Sequence, residues 1–265
     1  MPEVEIEMPA WLWHVLIDPY KRTEYWEAVR IKQGKRSWLY SRCVHSSHVA
    51  FLEIKVNTDK CIIEEDEAVL NIDKKYEFLK GLPKNAKVRY VYGDKEIPYI
   101  EAQTEYLYMR RYMSLYDIDS VPESKVPKIT AFEVKIKNLG IDELYKAIKL
   151  VTKKYKEDIK IECYDGKVYI GDFGELEEPT IIQLKYAEYE LLKEVDRVIT
   201  GQNAKFLRDL LCIVRKWIPD SSIAIYAGTN YPTKVEVVHQ YAYINLYIAP
   251  KFIDNVDEED MVRHL

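Results

Sequence analysis

The first regular signal along the chain is helical. Between about Ile141 and Lys156, Leu144, Ile148, Val151 and Tyr155 fall in one narrow sector at about 100° per residue, while Lys146, Lys149, Lys153 and Lys156 gather on nearly the opposite side. Asp142 and Glu143 open the segment at the positive end of its dipole, and Lys153, Lys154 and Lys156 close it at the negative end. A second helix is predicted over about Asn203 to Lys216. Its Phe206, Leu207, Leu210 and Val214 face inward, and Lys205, Arg208, Arg215 and Lys216 face outward, with only Asp209 breaking the positive face. A third, over about Pro9 to Tyr20, is aromatic through Trp11 and Trp13 and is expected to be cut short by Pro19.

Most of the remaining chain alternates with the period of a strand. Ile159 to Tyr164, the turn pair Asp165-Gly166, and Lys167 to Ile170 predict a hairpin whose turn tolerates positive φ. Extended runs also fit Ala28 to Ile31, Trp38 to Val44, Val88 to Tyr92, Tyr106 to Leu115, Ile181 to Leu184, Ile223 to Tyr226 and Tyr241 to Ile248. Leu82-Pro83, then Val88 to Gly93 and Pro98, parallels Ile218-Pro219, then Ile223 to Gly228 and Pro232, each stretch directly after a helix. The chain therefore divides into four modules of strand, helix and further strands, starting near residues 1, 56, 131 and 185. Asp117 to Pro127, polar and punctuated by proline, predicts an extended connector between two similar halves.

Composition changes this picture little: 265 residues, 48% apolar and 31% charged, with few glycines and prolines, describe a well-folded globular chain. The formal net charge of −5 would ordinarily speak against a nucleic-acid partner, but the cations are sorted onto helix faces. No apolar run approaches the roughly 20 residues that cross a bilayer, and the N-terminus lacks the features of a secretory signal. The expectation is an intracellular, cytoplasmic protein without a membrane partner. Cys43, Cys61, Cys163 and Cys212 lie far apart with no metal-ligand spacing, which predicts reduced core thiols and no metal site.

Two stretches invite an enzymatic reading. Ser46, Ser47 and His48 place hydroxyls beside an imidazole, but no Gly-x-Ser-x-Gly elbow exists, and two serines entering an apolar extended run more often form a turn. Asp165, Asp172, Glu175 and Glu177 would suit a metal-dependent nuclease only by converging on cations about 4 Å apart. Asp165 is already accounted for as a turn residue.

Ser46-Ser47-His48-Val49, the connector, and Leu246-Tyr-Ile-Ala-Pro-Lys-Phe252 occur in the order of three motifs of the sliding clamps of the proliferating cell nuclear antigen (PCNA) type, and the chain resembles that family over its whole length. The resemblance implies an α+β fold of two similar clamp domains, with helices lining a channel and antiparallel sheets outside. The domains would be 1–118 and 130–252, joined by a connector at 119–129 and followed by an acidic tail at 253–265. It implies a non-catalytic polymerase processivity factor that encircles duplex DNA without reading sequence, as phosphate contacts allow. No cofactor is expected. DNA polymerase, a clamp loader, a flap nuclease and a ligase would dock through short peptide motifs. DNA contact would extend from the helix faces to Lys21, Arg22, Lys74, Lys75, Lys80 and Lys84. Val44, His48, Val49, Phe51, Val121, Val126, Pro232, Tyr247, Ala249 and Pro250 would receive the partner peptide. Tyr108, Arg110, Arg111 and Tyr112 of one subunit would meet Glu175, Glu177, Glu178 and Ile181 of the next in a three-membered ring of this chain or of paralogous subunits. Departures include the sparse basic residues of the first helix and His45 in place of the motif's acidic residue. They admit a specialised subunit of a mixed trimer with restricted partners, and the metal-dependent nuclease remains the reading from another class.

Overall fold

The computed structural model describes residues 4–22, 27–64, 67–93, 96–114, 118–152, 157–172 and 180–251. The chain forms two compact units, the first of Met1–Pro127, Lys216–Asp220 and Val238–Asn245, the second of Lys128–Arg215, Ser221–Val237 and Leu246–Leu265. In the first half the order is β1 (Val4–Pro9), α1 (Ala10–Arg22), β2 (Ala28–Gln33), β3 (Trp38–Val44), β4 (Ala50–Asn57), β5 (Lys60–Ile63), β6 (Ala68–Asn71), α2 (Ile72–Leu79), β7 (Lys87–Gly93), β8 (Glu96–Gln103) and β9 (Tyr108–Tyr112). The second half gives β10 (Val134–Lys137), α3 (Ile141–Val151), β11 (Asp158–Tyr164), β12 (Lys167–Asp172), β13 (Ile181–Gln183), β14 (Glu188–Leu191), β15 (Arg197–Asn203), α4 (Ala204–Trp217), β16 (Ser222–Ala227), β17 (Thr233–His239) and β18 (Ala242–Ile248).

The first half runs its strands in the orders β5-β1-β7-β8-β9 and β4-β3-β2-β6, the second in the orders β14-β10-β16-β17-β18 and β13-β12-β11-β15. Element by element these are one topology used twice, β1 matching β10, α1 matching α3, and β9 matching β18. The modules open at Val4, Ala68, Val134 and Arg197. The second and fourth therefore start later than the sequence repeat suggests, because β4–β5 and β13–β14 belong to the modules before them. The ladders are antiparallel, and their registers put apolar residues opposite one another, as in Ile161↔Ile170 and Cys163↔Val198.

The helices form where their apolar stripes meet the sheets. On α4, Phe206, Leu207, Leu210, Leu211, Ile213 and Val214 are buried, and Asn203 Oδ1 accepts from Lys205 N–H at 2.8 Å at its start. On α3, Leu144, Ala147, Ile148 and Val151 are buried. This helix ends at Val151, with Thr152 N–H donating to Ile148 O, and Lys153 to Lys156 lie outside the described residues. α2 is capped by Asn71, whose Oδ1 accepts from Lys74 N–H at 3.0 Å. α1 is different: Leu12 to Tyr20 are all buried, and the helix continues through Pro19 to Arg22 rather than ending before it. Burial on every side outweighs the hydrogen bond that proline forfeits near the helix end. Its first N–H groups are satisfied by the loop before β7, Ala10 donating to Ala86 O and Trp11 to Lys84 O.

None of the four cysteines is in a disulfide; Cys43, Cys61 and Cys163 are buried and Cys212 is partly so. Burial pushes the Cys61 thiol up to about 11 and the Cys163 thiol up to about 12. Among the described residues no helix is long and apolar enough to cross a membrane. The predicted hairpin is present, with Asp165 at φ 49° and Gly166 at φ 72°. Gly166→Val should therefore destabilise the protein by about 1 kcal/mol or more through the left-handed backbone alone. The check is the urea midpoint, and Asp165→Asn should leave it unchanged.

Candidate nucleic-acid interface and docking surfaces

Because α3 and α4 each commit one stripe to the sheets, their other faces are left to polar side chains. Lys146 and Lys149 are exposed on α3, and Lys205 and Arg208 are half-buried on α4. Arg215 binds Asp142 through Nε, and its guanidinium lies 4.3 Å from the Tyr145 ring centroid, so this cation is tied to α3. The second unit thus presents basic side chains from two helices. Lys153 and Lys156 fall outside the described residues.

The first unit is less uniform. Lys80 and Lys84 are exposed, as are Lys21 and Arg22 at the end of α1. Lys21 Nζ is 2.8 Å from Asp73 Oδ1, and this hydrogen bond raises the lysine's proton affinity. Lys74 donates to Ser114 Oγ at 2.8 Å. Lys75 departs from the expected DNA-contact set: it is 1% exposed, with Nζ 3.8 Å from the Tyr90 ring centroid. Burial pulls its ammonium from an ordinary 10.5 down to about 7. Its position on α2 points it into the core, where the aliphatic stem packs.

α1 offers no basic face along its length, and its polar residues form a closed cluster that periodicity alone did not reveal. His14 Nδ1 lies 2.8 Å from Asp18 Oδ1, Trp217 Nε1 donates to Asp18 Oδ2 at 3.0 Å, and the His14 and Trp217 rings stack at 4.2 Å. Trp217, grouped with the first unit, also lies under Lys216 Nζ at 4.2 Å and Lys84 Nζ at 5.5 Å. The i, i+4 spacing of His14 and Asp18 was the available signal.

The Ser46-Ser47-His48 stretch is a turn between β3 and β4. His45 Nδ1 accepts from Ser47 N–H at 3.2 Å and lies 2.6 Å from Ser47 Oγ, while His48 N–H donates to His45 O. The imidazole of His45 does here what an aspartate does in an Asx-turn. His48 is exposed at φ 57°, Val49 is 38% exposed and Val44 is half-buried. Phe51 and Val121 are buried: Phe51 is 4% exposed, and Val121 packs with Ala28, Val69 and Ile118. Val126 is half-buried in the first unit; in the second, Pro232, Tyr247, Ala249 and Pro250 are half-buried at strand ends.

β9 is an end strand of its sheet, and β13 is an end strand of a sheet in the second unit. Tyr108 and Tyr112 are 57% and 62% exposed. Arg110 is already engaged within the chain: Nη2 is 2.7 Å and Nε 3.0 Å from Glu101 Oε2, with the guanidinium 4.3 Å from the Tyr99 ring. Arg89 takes the other oxygen of Glu101 at 3.3 Å and reaches Glu5 at 2.7 Å, which holds Lys60 at 2.5 Å. A chain of alternating charges thus crosses all five strands. Burial opposes the charge on Glu101, but Tyr108, Arg110 and Arg89 outweigh it and hold the carboxyl below its ordinary value. Arg111 is exposed and makes no ion pair among the described residues. Ile181 is half-buried on β13, and Glu175, Glu177 and Glu178 lie outside the described residues.

For the nuclease reading, Asp165 is in the hairpin turn and Asp172 Oδ2 accepts from Thr180 N–H at 3.3 Å. Glu175 and Glu177 lie outside the described residues, among which no three His, Cys, Asp or Glu side chains gather as a cation cage.

The elements define an α+β protein made of one strand-and-helix unit used twice. No protein-family model matches the sequence, and no curated protein matches it. Among solved structures it is similar to A. fulgidus PCNA with the C-terminal region of FEN-1 bound, at TM-score 0.76 and 16% identity, over 95% of this chain and 100% of that one. PCNA from Thermococcus kodakaraensis matches at 0.76 and 15%, over 94% and 100%. Proliferating Cellular Nuclear Antigen from Entamoeba histolytica matches at 0.76 and 16%, over 95% and 100%. The chain has the two-domain clamp fold of PCNA in a divergent sequence.

The buried lysine gives a pH test. Between its folded value of about 7 and the ordinary 10.5 the unfolded chain holds a proton that the folded chain has shed, so this group lowers stability progressively as pH falls across that window. Lys75→Met should stabilise the protein, with the gain largest at pH 7 and vanishing near pH 10.5. Denaturant titrations of both proteins at the two pH values check it.

Proposed function

We propose that this chain is a DNA sliding clamp and polymerase processivity factor, which encircles duplex DNA and tethers replication and repair enzymes to it. The observation that carries the reading is the clamp fold over 95% of the chain combined with basic side chains on the outward faces of α3 and α4. Lys146, Lys149, Lys205 and Arg208 contact phosphates, which gives grip without sequence preference and leaves the clamp able to slide. The clamp halves are 1–118 and 130–252, with the connector at 119–129 between them; the acidic tail at 253–265 lies outside the described residues.

In this reading a ring of three copies is built by repeating one strand pairing. In the first unit Asn245, on β18, donates to Glu53 of β4 at 2.9 Å. β9 is the counterpart of β18 and β13 that of β4, so β9 of one copy pairs with β13 of the next, a head-to-tail contact that closes when its rotation divides the circle. Partner peptides dock at the exposed turn of Val44, His48 and Val49; binding of FEN-1 to A. fulgidus PCNA supports docking of this kind. The role requires no catalytic step and no cofactor. A second reading, one subunit of a mixed ring, is favoured by the buried α1 and Lys75, which leave the first unit with a weak basic face.

Reversing Lys146, Lys149, Lys205 and Arg208 to Glu should lower stimulation of a partner polymerase at least about tenfold while leaving the unfolding midpoint and the oligomer unchanged, and DNA binding should weaken steeply with salt. Undiminished stimulation by the folded variant would sink the reading. Mass measurement in solution separates the two forms: three times 31.4 kDa is expected of a self-sufficient ring, and a smaller species of a subunit that needs paralogues.

A further inference from the structure

Between the β2–β3 hairpin and the connector, the first unit holds a cleft of about 640 Å³, a volume typical of ligand sites. Five cations line it: Arg30, Lys32, Lys35, Arg36 and Arg42. Three of them are already committed. Arg30 and Lys32 share Glu67, and Arg42 Nε is 3.1 Å from Glu53. Burial opposes the charge on Glu67, but its bonds to Lys32 and Arg30 prevail and hold the carboxyl below its ordinary value, so this group stays ionised and structural. Lys35 and Arg36, both exposed, make no ion pair among the described residues.

The walls are fixed. Arg30 donates from Nε to Val121 O at 2.6 Å and from Nη2 to Ile118 O at 2.9 Å, which ties the start of the connector to β2. On the hairpin, a Cβ at Gly34 would fall 1.8 Å from Tyr40 Cε2, so only glycine lets that ring close beneath the loop. Lys55 Nζ holds the same ring at 5.2 Å. Half-buried Trp38 extends the apolar floor. Arg36 stands at φ 54°, ψ 51° and Ser37 at φ 63°, two successive left-handed residues without glycine. Each costs on the order of 1 kcal/mol, and strain held in place this way collects at binding sites.

We propose that this cleft binds an acidic, extended peptide segment of a partner protein. Lys35 and Arg36 take its carboxylates, and Trp38 and Tyr40 take the apolar carbons between them. Nucleic acid fits less well, because Glu123 on the connector wall and Glu67 would face a chain that carries a charge at every phosphate. A peptide spaces its carboxylates and can turn a backbone N–H toward Glu123. The site uses neither the helix faces nor the turn at Val44, His48 and Val49, and it does not depend on the clamp reading.

The probe is a fluorescein-labelled peptide of repeating Glu-Glu-Leu-Gly units, followed by anisotropy at low salt, with labelled oligothymidylate as the comparison. The parent should bind the peptide saturably, and Lys35→Glu with Arg36→Glu should weaken it at least about tenfold, as loss of two charge contacts implies. Arg36→Gly removes the cation and relieves the left-handed backbone, so it should raise the unfolding midpoint and still lower affinity; a purely structural arginine would not separate the two. Polymerase stimulation by the Lys35/Arg36 variant should equal that of the parent, which keeps this test apart from that of the clamp role. Absence of saturable peptide binding, or equal binding by the double variant, overturns the proposal. So does tighter binding of oligothymidylate that the same substitutions abolish.

Discussion

Each helix in this fold must bury one stripe of its surface, and what that stripe leaves over decides what the rest of the helix can do. In α4, Phe206, Leu207, Leu210 and Val214 settle the inward face, so Lys205 and Arg208 stand away from the core. The same division in α3 frees Lys146 and Lys149. Where the stripe widens to the whole circumference, as in α1, no face remains for solvent or ligand, and polar residues such as His14 and Asp18 survive only by satisfying one another. One topology therefore yields two units with different outward chemistry.

Much of this was legible in the sequence. The helix period of α3 and α4, the Asp165-Gly166 hairpin and the duplication are all local or repetitive signals, and local signals survive in a single sequence. Strands such as β5, β6, β8, β14 and β17 were not read, because ladders such as Lys60 to Ile63 are specified by the neighbours they pair with rather than by their own alternation. The passage of α1 through Pro19 and the burial of Lys75 share one cause: tertiary packing overrode a local preference that the sequence states correctly. Among the candidate site residues, exposure of Lys146 and Lys149 followed from periodicity, whereas Tyr108 and Tyr112 were named only through the family resemblance and the internal ion pair of Arg110 needed the register of β8 against β9.

The β2–β3 hairpin illustrates a different limit. Gly34, Arg36 and Ser37 look like an ordinary basic loop in sequence, yet they hold two left-handed residues and a ring contact that tolerates no Cβ. Nothing in the hydrophobic pattern points there, because the cleft is made by backbone shape and by one arginine that bridges to carbonyls of the connector. Charge-rich loops are common; what separates this one is that most of its cations are neutralised internally while two are not.

The charge chain across the first sheet ends at Arg110, which is saturated by Glu101 and Tyr99 of its own chain. A contact formed by β9 therefore draws mainly on backbone hydrogen bonds and aromatic area, which dissolved ions do not screen, with Arg111 the β9 cation left without an ion pair among the described residues, whereas the grip of lysines on phosphates weakens with every added counterion. On the clamp reading proposed above, ionic strength becomes a selective control: with subunits joined through β9, added salt is expected to loosen the hold on DNA before it loosens the strand pairing, so that sliding grows freer well before the assembly comes apart.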